Sequence, residues 1–116
     1  GQNSWVCFEF KNHQVIPTSY IIRTINTENE RHLKSWVVEG SNESSNENNW
    51  IKIDEKTNDS SLKGSSRVHL FSIQKNYKRQ PFKYIRIRIT GPCWKNNNDQ
   101  SYYLLIGSID FYGNLI

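Results

Sequence analysis

The stretch "GPCWKNNNDQ", residues 91–100, sets one indole beside a row of hydrogen-bonding side chains. Trp94 offers a flat apolar face on which a ligand could stack. Lys95, Asn96, Asn97, Asn98, Asp99 and Gln100 offer donors and acceptors around it. That is the chemistry of a sugar or peptide site. The same residues have a plainer use, with Trp94 folded back as a plug on the rim of the domain and the amides in water. The sequence leaves both open.

Arg86 and Arg88 are the second candidate for ligand binding. Two residues apart on an extended strand, they share a face, and Ile85, Ile87 and Ile89 take the other. Guanidinium groups grip carboxylates and phosphates through paired hydrogen bonds. Arg23 ends a different apolar run and could join them. The alternative is that the two arginines keep an exposed sheet face soluble. His32, just ahead of an apolar run, is a third candidate, for ligand contact at a loop end. His13 reads as turn chemistry, and His69 stands within a strand.

Nothing in the chain points to catalysis. There is no Gly-rich phosphate loop, no HExxH and no GxSxG. Cys7 sits beside Phe8 in an apolar run, a setting for a buried thiol and not for a nucleophile. Three isolated His and two distant Cys lack the spacing of a metal site. Asp54, Glu55 and Asp59 lack the pattern of a calcium loop. The expectation is a binding protein, not an enzyme, with no metal and no cofactor.

Charge is unevenly placed. The formal net charge is +4, and residues 67–116 hold eight Lys/Arg against two Asp. Residues 75–95 hold seven basic residues and no acid. This is either a solvated basic face or a site for an anionic partner. Tyr77, Phe82 and Tyr84 interleave with these bases, a mixture used for single-stranded nucleic acid. No RNP-type motif accompanies them, so nucleic acid ranks below a protein or a glycan. No window holds the apolar run of a membrane-spanning helix.

The elements that must position these residues are strands. Aromatics make up 13% of the 116 residues, enough bulk for one core although hydrophobic residues reach only 35%. Short alternating runs separated by polar turns predict strands over residues 5–10, 15–24, 34–40, 50–54, 68–73, 82–90 and 102–112. Gly107, inside the last run, predicts a bulge or bend there. Seven strands without a helix bury their apolar faces by packing as two sheets. The expected fold is all-β, an antiparallel β-sandwich, in one domain spanning residues 1–116.

Five segments stand in one order: "SWVCFEF", "HLKSWVVEGSN", "NNWIKI", "FKYIRIRITGP" and "IGSIDFYG". Together they resemble the discoidin-like family, the factor V/VIII type C domains, whose fold is a galactose-binding-like jelly roll. The likeness is greatest to the intracellular branch found beside BTB, kelch and ubiquitin-ligase modules, and it covers nearly the whole chain. It implies a ligand-recognition module that binds a protein partner within a larger cytoplasmic protein. The alternative it implies is a lectin-like, carbohydrate-binding domain. Ligands would meet loops at one end of the sandwich. Two departures bear on this. Secreted relatives tie their termini with a disulfide, which Cys7 in the first strand and Cys93 in a late loop do not match; this leans to a reducing compartment and leaves open whether the two cysteines pair. The family's opening strand, with a ligand-contacting loop, would precede "SWVCFEF" and is expected to be missing.

Overall fold

Alternating apolar and polar residues lie behind seven strands in the computed structural model, which describes residues 4–25, 32–43, 47–64, 66–73, 79–94 and 106–116. They are β1 (Trp5–Glu9), β2 (Val15–Arg23), β3 (Trp36–Ser41), β4 (Ile51–Lys56), β5 (Val68–Ser72), β6 (Tyr84–Ile89) and β7 (Ser108–Leu115). Among the described residues the sole helical element is a short turn, Glu47–Asn49. All pairings are antiparallel. The strands form a four-stranded sheet in the order β1-β6-β3-β4 and a three-stranded sheet in the order β5-β2-β7. The chain is an all-β sandwich of two antiparallel sheets, as the sequence predicts.

The core lies between the sheets. Ile85, Ile87 and Ile89 of β6, Trp36 and Val38 of β3, and Tyr20 and Ile22 of β2 are all fully buried. Burying one such side chain contributes about 1.5–3 kcal/mol relative to leaving it in water. Phe82 closes the core near Gly40. A Cβ at Gly40 would lie 2.6 Å from the Phe82 ring, so only glycine lets that ring approach β3.

One polar chain crosses this core. Trp36 Nε1 donates to Tyr20 Oη at 3.0 Å, and the Tyr20 hydroxyl donates to Asp54 Oδ2 at 2.5 Å. Lys56 Nζ completes the carboxylate at 3.1 Å from Oδ1. Buried polar groups persist only when partnered, and here each one is. A bulge in β4 opposite Val38 and Glu39 makes Ile53 an extra residue, and both Ile53 and Asp54 are buried.

Two expectations need correction. The face of β6 opposite the isoleucines is not open to water: Arg86 is 3% exposed, and all six residues of β3 are buried. Gly107 does not sit inside the last strand but directly before it. The bulge in this sheet falls instead between Pro17 and Ser19 of β2, across from Gly113. A Cβ on Gly113 would fall 2.0 Å from the Ile16 carbonyl oxygen. Residues 102–105, the predicted start of the last strand, lie outside the described residues.

Candidate functional site

Loops that leave β2, β4 and β6 meet at one end of the sandwich. The Asp59 N–H donates to the Lys34 carbonyl at 2.8 Å, and the Asn58 N–H to Ser35 Oγ at 2.9 Å. Thr24 Oγ1 donates to the Gly64 carbonyl at 3.0 Å. The loop after β4 can turn this tightly because Asn58 and Gly64 take positive φ, which Asn and Gly tolerate. The Asp59 carboxylate folds onto its own turn and accepts the Ser61 N–H at 2.8 Å. Leu62, fully buried, pins the loop to the core.

Trp94 is held in this cluster from three directions. Its backbone pairs with His32 through hydrogen bonds of 2.8 and 3.2 Å. Its indole N–H donates to the Asp59 carbonyl at 2.9 Å. Its ring is half-buried, with Lys34 Nζ 4.3 Å and Lys63 Nζ 4.5 Å from the centroid. Ammonium groups at this range are drawn to the negative face of an indole. Neither lysine forms an ion pair with a carboxylate among the described residues. The ring is thus anchored through its N–H while part of its surface remains accessible.

His32 is buried and serves as Trp94's backbone partner, not as a surface side chain. Lys95, Asn96, Asn97, Asn98, Asp99 and Gln100 lie outside the described residues. Lys34 and Lys63 were not singled out from the sequence. They stand 60 and 31 positions from Trp94, and only the fold brings them to one ring.

Arg86 and Arg88 are already engaged within the protein. Arg86 Nε lies 2.9 Å and Arg88 Nε 3.1 Å from Glu39 Oε1. The Arg86 guanidinium lies 4.2 Å from the Trp50 ring centroid and 5.6 Å from that of Trp5. An internal carboxylate thus takes the paired hydrogen bonds that the sequence reading offered to a ligand. Arg23 ends β2 in the other sheet and does not join them.

The remaining candidates separate. Burial raises the Cys7 thiol pKa, Arg86 partly offsets that, and Glu9 adds to it, so the thiol keeps its proton. Neither cysteine forms a disulfide. Asp54 belongs to the core network, Glu55 pairs with Lys52 at 3.3 Å, and Asp59 serves its turn. Among the described residues no three potential ligands gather for a metal ion. The described residues also contain no helix long and apolar enough to cross a membrane.

On the outer face of the three-stranded sheet, Val68 is 54%, Leu70 56% and Tyr112 48% exposed, with Ile21 opposite Leu70. A shallow, open depression at the other end of the sandwich is lined by Asn12, His13, Gln14, Lys83 and Ile116.

Neither a protein-family model nor a curated protein matches the sequence. Among solved structures, the chain is similar to the C-terminal domain of a chitobiase from Bacteroides fragilis, with a TM-score of 0.66 at 15% identity. The match covers 100% of this chain and 66% of that one. At this identity the likeness is one of fold, and the fold shared is a β-sandwich.

Proposed function

We propose that this chain is a non-catalytic recognition module of the galactose-binding-like type, taking a carbohydrate at the loop end that holds Trp94. The observation carrying this reading is the anchored, half-buried indole. A ring fixed through its N–H and backbone loses little freedom when a sugar stacks on it. The similar fold of a chitobiase's C-terminal domain supports a carbohydrate as the ligand class. The discoidin-like resemblance of the sequence supports the same end of the sandwich.

A glycan array printed with the protein and its Trp94→Ala variant tests this. Binding that disappears in the variant is the expected result. Binding that survives in the variant overturns Trp94 as the site.

A second reading rests on the exposed Val68, Leu70 and Tyr112. Apolar side chains grouped on one sheet face suit a protein partner within a larger cytoplasmic protein. Silence of both proteins on the array turns the proposal to this face. Two reactive thiols in the denatured, unreduced protein would support the cytoplasmic setting.

A further inference from the structure

Trp94 does not stand alone at its end of the sandwich. Lys34 and Lys63 both bring their ammonium groups within 4.5 Å of its ring centroid. Like charges brought to one ring repel each other, and a carboxylate between them would relieve this. Among the described residues none is placed to do so. Asp59, the nearest acid in sequence to Lys63, turns its carboxylate to the Ser61 N–H, while its carbonyl takes the Trp94 indole. Arg67, exposed at the same end, adds a third cation. Its backbone carbonyl accepts the Thr24 N–H at 2.8 Å, so it belongs to this loop cluster.

Several cations elsewhere are neutralised internally. Arg86 and Arg88 share Glu39, Lys56 pairs with Asp54, Lys52 with Glu55, and Lys83 faces Glu9. Lys34 and Lys63 have no such ion pair among the described residues, and both stand over a partly accessible indole. An indole with two ammonium groups over it, itself only half-buried, suits a ligand that meets ring and cations together. A pyranose offers C–H groups to the ring, and an acidic substituent on it reaches the ammonium groups.

We infer that the Trp94 site selects acidic sugars, those carrying a carboxylate or a sulfate. The inference rests on the carbohydrate reading of the same site and names the class of sugar it takes. Trp94 supplies the stacking surface, and Lys34 and Lys63 supply the discrimination. Because the lysines are partly solvated, each contributes modestly, and together they favour an acidic over a neutral sugar by about tenfold. The preference weakens with salt, since exposed charges are screened over about 8 Å at physiological ionic strength.

The test is titration of the full chain with four probes. They are a uronate oligosaccharide, a sulfated oligosaccharide, a neutral N-acetylglucosamine oligosaccharide of the same length, and an acidic peptide. Tighter binding of one or both acidic sugars is expected, and which of them binds tells carboxylate from sulfate. The preference should vanish in Lys34→Gln/Lys63→Gln while affinity for the neutral sugar stays. It should persist in Lys11→Gln/Arg79→Gln, which removes the same net charge at the opposite end.

Equal affinity for neutral and acidic sugars, both lost in Trp94→Ala, overturns the inference and leaves the carbohydrate reading standing. Acidic preference that survives in the Lys34/Lys63 variant, or falls equally in the Lys11/Arg79 variant, overturns it too. Binding of the acidic peptide alone, or of no probe, overturns both.

Discussion

The Tyr20 hydroxyl on β2 donates to the Asp54 carboxylate on β4 at 2.5 Å, a polar bond between the two sheets through the core. Both residues are 0% exposed. Tyr20→Phe leaves a buried carboxylate oxygen without its donor and is expected to destabilise the fold by about 1–3 kcal/mol. Urea titration measures this. The same bond sets a pH dependence. Burial, reinforced by the charge of Asp54, raises the Tyr20 pKa above its ordinary 10.0. The folded chain therefore keeps a proton that the unfolded chain releases above about pH 10. Stability is full below that pH and falls as the pH rises past it. Melting temperatures should drop more steeply there for the native protein than for Tyr20→Phe.

Glu39 separates two arginines of very different burial. The Arg86 side chain is 4% exposed and that of Arg88 30%. Glu39→Ala strands a buried guanidinium and is expected to cost about 3–5 kcal/mol. Arg88→Ala leaves the Arg86–Glu39 pair intact and should cost under about 1 kcal/mol. Denaturant melts that rank the two variants in the reverse order would contradict the geometry.

Gly40 and Phe82 should prove coupled. Gly40→Ala drives a methyl group into the Phe82 ring, an overpacking expected to cost about 1–3 kcal/mol. Phe82→Leu makes room at its own cost. In a double-mutant cycle the pair should cost less than the sum of its parts. Strict additivity would show that the ring moves aside freely.

Cys7 is expected to be a slow thiol. With its pKa raised by burial, little thiolate is present near neutral pH. Cys93 is buried outright. A thiol reagent at pH 8 should label the folded protein more slowly than the denatured one. Fast labelling of the native Cys7 would show the strand to be open.

Much of the scaffold was legible in the sequence, because period-two alternation over Ile85, Ile87 and Ile89 has a single physical solution, a buried sheet face. Alternation says which residues share a face but not what covers the other one. Arg86 therefore read as exposed. Its cover includes Trp50, which precedes β4, and Glu39 on a neighbouring strand, and no spacing links either to it. Asp54 was similarly opaque, since a bulge breaks the period that would have placed it. For the candidate site, the sequence marked Trp94 and His32 as rim residues but gave His32 a side-chain role where the structure uses its backbone. Lys34 and Lys63 needed the loops in place before they could be seen at all.

The strand order has a consequence for how the chain comes together. Among the described pairings, β1 waits for β6, β2 for β5 and β7, and β3 for β4 and β6. None of the first three strands can pair with another of the three. During synthesis from the N-terminus, the first ladder can close only once β4 has emerged, and β1 stays without its partner until residue 84. Every sheet-forming step but the β3–β4 pairing joins distant parts of the chain, a topology that folds slowly because long loops must close before any contact repays them. Until then the apolar faces of β1 and β2 lack the strands they pair with, and exposed apolar surface of this kind favours aggregation.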